Sequence, residues 1–179
     1  MSDAWGELTW ADVLAEIERQ GRDAFVASVT PGGRPHLAIV WLVVVDGTVH
    51  FVGDRSSVKV RNLAAAPALA CHWQVPEDDR RQLMIQGEAT LVEDGTERRR
   101  LWESGAWGDL AQWYEGPDDA QLAFVRIDAS RASIVEQAGA GPRSRWRAVD
   151  TVVTAAESAP AAASAAAPDS APAPDTSAG

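Results

Sequence analysis

The sequence predicts a mainly β fold: a small antiparallel barrel of six or seven strands with short peripheral helices. Three observations carry that reading. Short apolar segments rich in β-branched residues recur along the chain, separated by Gly, Pro and Asp turn signals. Asp46-Gly47 stands between two such segments, and that dipeptide supplies the positive φ angles a tight hairpin needs. Only one short helical pattern falls between the third and fourth strands, whereas a parallel sheet needs a helix after nearly every strand.

Each element has a local reason. Residues 9–20 read as a helix, with Thr9 as cap and Trp10, Val13, Leu14 and Ile17 as an apolar stripe at helical spacing. Gly21 stops it. Residues 24–30 form a strand, and Pro31-Gly32-Gly33-Arg34 turns the chain into a second strand, 36–45. Asp46-Gly47 then pairs that strand with 48–53. Residues 56–66 read as a helix capped by Ser56 or Ser57, with Pro67 just past its end. Strands follow at 69–75 and 83–93, joined by a charged loop over 76–81. Gly87 inside the second of these marks a bulge or bend. Residues 96–113 look helical with a break near Gly105, and two strands, 122–127 and 132–136, complete the count.

Composition narrows the class of protein. Sixteen Lys and Arg stand against 26 Asp and Glu, a net charge of −10, which disfavours a chain built to grip nucleic acid or an anionic membrane. The longest uninterrupted apolar run, Leu37 to Val45, is nine residues, short of the ~20 that span a bilayer. The N-terminus shows no basic region followed by an apolar stretch, and one cysteine, Cys71, cannot form an internal disulfide. A cytoplasmic protein is the expectation. Residues 1–150 read as the folded domain and 151–179 as a disordered tail, because the last 25 residues hold 12 Ala, four Pro and no aromatic.

The segment with chemistry is Arg55-Ser56-Ser57-Val58-Lys59-Val60-Arg61-Asn62-Leu63. From Arg55 through Pro76 there are three fixed positive charges and no acid, in an otherwise acidic chain. Lys59 is the single lysine of the sequence. A strand hands over to a helix N-terminus there, where free N–H groups and the helix dipole favour an anion. An ordinary capped helix with solvated basic residues is the plainer reading of the same pattern.

Other tempting groups read as structural. Cys71 and His72 are neighbours on a strand and point to opposite faces, so Cys71 joins Leu69, Trp73 and Val75 in the core rather than a catalytic dyad. His36, His50 and His72 lack metal-ligand spacing, so no metal is expected. Arg98-Arg99-Arg100 among acids reads as a salt-paired helix face, and Asp118-Asp119 after Gly116-Pro117 as turn residues. Arg143, Arg145 and Arg147, with Trp146 among them, could reach a phosphate or another polyanion, but a solvated terminal segment is the favoured reading.

The order of motifs resembles the FMN-binding split-barrel superfamily, which includes pyridoxamine 5′-phosphate oxidase, the general-stress flavoproteins and the deazaflavin-dependent reductases. The matching pieces are Phe25-Val26-Ala27-Ser28-Val29, Gly33-Arg34-Pro35-His36, Val40-Trp41, Asp46-Gly47, Ser57-x-Lys59-x-x-Asn62-Leu63 and Gly87-Glu88-Ala89. The stretch Trp113 to Asp119 resembles the general-stress branch. The resemblance covers residues 8–137 and implies a split β-barrel. It further implies a homodimer with FMN at the subunit interface, its phosphate held by Ser57, Lys59 and Asn62 with Arg55 and Arg61 as helpers. The ring would lie along Ile39, Val40 and Trp41. The implied function is an FMN-dependent oxidoreductase acting on a small substrate, with no assigned catalytic acid or base. Alternatives are a deazaflavin coenzyme-dependent reductase, a non-catalytic flavin carrier or stress-related protein, and a cofactor-free barrel. Gly141 to Arg147 departs from the substrate-holding end of pyridoxamine 5′-phosphate oxidase proper, which argues against vitamin B6 oxidation.

Overall fold

The computed structural model describes residues 5–73 and 80–148. The expected tail over 151–179, the end of the 69–75 strand and most of the 76–81 loop lie outside the described residues. Among the described residues, eight strands and three short α-helices appear in the order β1 (Gly6–Glu7), α1 (Trp10–Gln20), β2 (Asp23–Val29), β3 (Pro35–Val45), β4 (Thr48–Asp54), α2 (Val58–Ala65), β5 (Ala68–Trp73), β6 (Gln82–Leu91), α3 (Gly95–Glu103), β7 (Leu122–Val135) and β8 (Arg143–Arg147).

Six of the strands close a barrel. β7 pairs with β4 on one side and β6 on the other, and the circuit runs β7-β4-β3-β2-β5-β6 with every step antiparallel. Closure removes the open edges that a flat sheet would leave. β8 adds to the far half of β7, and the two residues of β1 add in parallel to β8. The mainly β barrel with peripheral helices is therefore the observed fold.

Local chemistry explains the elements. Thr9 caps α1 by accepting from the Asp12 N–H, while Asp12 accepts in return from the Thr9 N–H at 2.7 Å, a reciprocal cap worth about 1 kcal/mol. Asp46 and Gly47 both take positive φ, 49° and 75°, which gives the β3–β4 hairpin a twist that matches its strands. On β3 the alternation is plain: His36, Ala38, Val40 and Leu42 face inward, whereas Leu37, Ile39 and Trp41 face outward.

Two cores result. The barrel interior holds Val26, Phe51, Cys71, Trp73, Ile85 and Val125, stoppered by Val60 and Leu63 of α2 and by Val13 and Ile17 of α1. Burial pushes the Cys71 thiol up to about 12, so it stays protonated and inert, as its strand position implied. Outside the barrel, α3 and the loop after it lay Leu101, Trp107 and Leu110 over Val43, Leu122 and Phe124.

Three expectations need correction. Residues 122–135 form one strand, not two, because β7 runs unbroken along β6 past the bulge at Gly87. The segment after residue 142 is a strand, β8, paired with β7, and its three arginines are exposed to solvent as expected. Arg98 is not on a solvated face. It is 6% exposed and donates to the carbonyls of Pro117, Asp119 and Leu122 at 2.8, 3.1 and 3.1 Å. Its neighbours do behave as expected, Arg99 pairing with Asp118 and Arg100 with Glu97 and Asp46.

Candidate functional site

The β4–α2 junction is built by one acid. Asp54 ends β4, its carboxylate accepts from the Ser56 N–H at 2.6 Å and from the Ser56 hydroxyl, and its carbonyl accepts from the Ser57 N–H at 3.0 Å. Those hydrogen bonds from Ser56 hold the Asp54 carboxyl below the usual range. Ser57 is the N-cap of α2, with extended φ and ψ, yet its hydroxyl caps nothing. The Ser57 Oγ is buried and has no partner.

This end of α2 contrasts with the other two helices. Thr9 caps α1 and Asp94 caps α3 by accepting from the Glu97 N–H at 2.8 Å. α2 has neither a side-chain cap nor an acid in its first turn. Its leading N–H groups thus keep their capacity for an external acceptor. Lys59 lies across Gly53: a Cβ on that glycine would sit 3.3 Å from Lys59 Cε and 3.6 Å from Nζ. An anion at the helix end would meet the buried Ser57 hydroxyl and the ammonium together, and this donor set suits a phosphate.

The structure sorts the remaining site residues expected from sequence. Arg61 is exposed on α2. Asn62 is 3% exposed and donates to the Ser28 hydroxyl at 3.2 Å, so its side chain is turned into the barrel end. Arg55 grips Glu93 with both guanidinium nitrogens, at 2.8 and 3.0 Å, which engages the fork a phosphate would need. Val40 faces the interior at 5% exposure, leaving only its backbone to a ligand. Ile39 and Trp41 project outward from β3 beside Leu37, with 63%, 45% and 62% of their surface exposed.

Trp41 has two partners that sequence reasoning did not pair with it. The Arg22 guanidinium lies 5.2 Å from its ring centroid, and Trp113 meets it edge to face at 6.5 Å. Trp113 arrives on the loop after α3, which Arg98 pins through its carbonyl bonds. The signal available in sequence was only that Trp113 follows a helix break. Asp119 acts as the expected turn residue, accepting from the Glu115 and Gln121 N–H groups at 2.9 and 2.7 Å. Among the described residues no three His, Cys, Asp or Glu side chains could hold a metal ion, and no helix is long and apolar enough to cross a membrane.

A closed six-strand antiparallel barrel, with a short helix at one end and an exposed apolar stripe on β3, defines the split-barrel class of proteins. The family model described as pyridoxamine 5′-phosphate oxidase matches residues 12–136, and the chain belongs to that family. Comparison with curated proteins returns no match. Among solved structures, general stress protein 26 from Bacillus anthracis str. Sterne is 20% identical with a TM-score of 0.55, covering 69% of this chain and 91% of its own. A pyridoxamine 5′-phosphate oxidase-related, FMN-binding protein from Nostoc punctiforme PCC 73102 is 20% identical with a TM-score of 0.61, covering 84% and 94%. A heme-binding protein from Mycobacterium smegmatis is 16% identical with a TM-score of 0.62, covering 78% of this chain and 58% of its own. At these identities the likeness is one of fold.

Proposed function

We propose that the protein is a homodimeric FMN-dependent oxidoreductase acting on a small substrate. The observation that carries this reading is the conjunction at one junction of an uncapped α2 N-terminus, a buried unpartnered Ser57 hydroxyl and the Lys59 ammonium. Ser57, Lys59 and the leading α2 N–H groups would hold the cofactor phosphate, with Arg61 adding charge from the exposed face. Ile39 and Trp41 offer the flat apolar surface a flavin ring requires, and Arg22 and Trp113 fix the orientation of Trp41. The family and the FMN-binding relative from Nostoc support the choice of FMN.

The exposed stripe supports the dimer. Leu37, Ile39, Trp41 and Trp113 are all large exposed apolar side chains, with Trp41 and Trp113 in ring contact, and clustered exposed apolar surface marks interaction sites. A second copy covering it would exclude solvent from the ring. The bound flavin supplies hydride or single-electron transfer; the chain contributes phosphate grip, ring support and a dry interface.

The test is the absorption spectrum of the purified protein, with mass spectrometry of whatever a denaturant releases and light scattering for its mass in solution. Flavin bands, an FMN mass and a dimer are expected. A colourless protein that takes up neither added FMN nor a deazaflavin coenzyme overturns the cofactor assignment, and a heme spectrum replaces it.

A further inference from the structure

His50 sits on the outer face of the barrel, buried beneath α3 and only half satisfied. Register sets it between Val43 on β3 and Arg126 on β7, with Thr90 on β6 next in the row, and directly opposed residues share a face. Nδ1 lies 3.1 Å from the Thr48 carbonyl, so it carries the ring hydrogen. Nε2 is left as an acceptor, and it has no partner among the described residues. The charged groups that act on the ring are Glu97 and Arg100 of α3 and Arg126 and Asp128 of β7. Both acids are already engaged. Glu97 accepts from Arg100 at 2.8 and 2.6 Å, while Asp128 accepts from Arg126 at 2.8 and 3.1 Å and from the Thr90 hydroxyl at 2.7 Å. Arg100 also pairs with Asp46 of the β3–β4 hairpin, and β3 itself presents only the apolar Val43.

The neutral ring therefore fits this place and the imidazolium does not. A proton on Nε2 puts a buried cation beside two guanidinium groups, with no free acceptor, and burial accordingly lowers the histidine pKa. What covers the ring is also separable from the barrel. The six-strand circuit closes without α3, which is held from outside by Leu101, Trp107 and Leu110 over Val43, Leu122 and Phe124. Arg98 of α3 binds the carbonyls of Pro117 and Asp119, so the helix and the loop after it form one unit. That unit carries Trp113 to its edge-to-face contact with Trp41. A layer appended in this way can open without unfolding what lies beneath it.

We infer that His50 is a proton-operated latch: a proton on Nε2 loosens α3 and its loop from a barrel that stays closed, and withdraws Trp113 from Trp41. In mild acid the outward face of β3 loses its aromatic flank, so whatever covers Leu37, Ile39 and Trp41 is released by the same proton. The inference does not rest on the flavin reading, since the latch needs no ligand and no part of α2.

Hydrogen–deuterium exchange of the full chain at about pH 8 and about pH 5.5, each corrected for the intrinsic exchange rate, tests it. Protection over residues 95–121 should fall by up to about tenfold between the two. That is the factor by which a ring of ordinary pKa 6.5 favours an open form over a closed one that excludes the proton. Peptides from β2 and β5, inside the barrel, should stay better protected at both pH values. His50→Leu should abolish the change over 95–121. Arg100→Gln removes one guanidinium and frees Glu97 to accept from the imidazolium, so it should shrink the change even though it weakens the hold of α3 at both pH values. The latch is overturned if residues 95–121 are protected as well as β2 and β5, if their protection does not change with pH, or if the change survives His50→Leu. Should His50→Leu not fold, a full-sized pH response in Arg100→Gln overturns it.

Discussion

Gly87 on β6 lies so close to Asp128 on β7 that a Cβ at position 87 would stand 2.2 Å from the Asp128 carbonyl oxygen and 2.8 Å from the Ala129 Cα. The β6–β7 register shifts at this point, between Gln86 and Gly87. A missing side chain lets β7 cross close over β6, and that crossing lets one 14-residue strand serve both the barrel and β8. Gly87→Ala must push two backbones apart, at a cost of about 3 kcal/mol. Gly95→Ala, where a Cβ meets nothing within 4 Å, is the control and should not destabilise. Urea unfolding of the two variants measures the difference.

Glu16 on α1 is 4% exposed and carries a network to the far end of the sheet. Arg19 and Gln20 donate to it from its own helix, Arg81 lies at 3.0 Å, and Arg81 also donates to Glu136 at 2.8 Å. Burial acts to raise the Glu16 carboxyl, but the hydrogen bonds from Arg19 and Gln20 and the charges of Arg81 and Arg19 prevail and hold it below its ordinary value. A depressed carboxyl pKa stabilises the fold above the unfolded value and loses that contribution as pH falls. The loss therefore begins below about pH 4.5, the ordinary value for the group. Glu16→Gln should cost about 2–3 kcal/mol at neutral pH and flatten this part of the acid limb in pH-dependent unfolding.

How much was legible follows from the range of each signal. The cap at Thr9, the Asp46-Gly47 hairpin, the bulge at Gly87 and the core place of Cys71 are local, set by residues a few positions apart, and each is observed. The burial of Arg98 is not local. Three of its four carbonyl acceptors are 19 to 24 residues away, so a run of three arginines gave no hint that one turns inward. The pairing of Arg55 with Glu93 spans 38 residues and depends on how the β4 and β6 ends meet around β7. β8 was missed because Arg-Ser-Arg-Trp-Arg alternates arginine with smaller and apolar residues on a half-exposed strand, a pattern that charge alone disguises.

His50 should make stability depend on pH in a window above that of Glu16. Its ring is 1% exposed between β4 and α3, Nδ1 donates to the Thr48 carbonyl at 3.1 Å, and Nε2 has no partner. Burial lowers its pKa from the ordinary 6.5; the Thr48 bond and Glu97 act against that, while Arg100 and Arg126 reinforce it. A histidine held neutral in the fold binds a proton more readily once unfolded, so stability present above about pH 6.5 declines as pH falls. His50→Leu should remove this slope, reducing the difference in urea midpoint between about pH 8 and about pH 5.5.

Lys59 offers the sharpest measurement of the cofactor site because it is the sole lysine and its side chain carries little of the core. Its stem rests against Gly53, while the neighbouring Val60 and Leu63 do the packing. Lys59→Ala should leave the melting temperature of the ligand-free protein close to wild type. It should also remove one charge-assisted contact to the FMN phosphate, costing ~1.5–3 kcal/mol, roughly 10- to 150-fold in Kd. Lys59→Arg retains the charge and should recover part of the affinity. Ser57→Ala removes a hydroxyl that has no partner in the fold, so its effect should also fall on flavin affinity rather than stability. Titrating apoprotein with FMN by flavin fluorescence quenching reads all three variants. Unchanged affinity in Lys59→Ala means that the phosphate is held elsewhere, and the α2 end is then only a helix terminus.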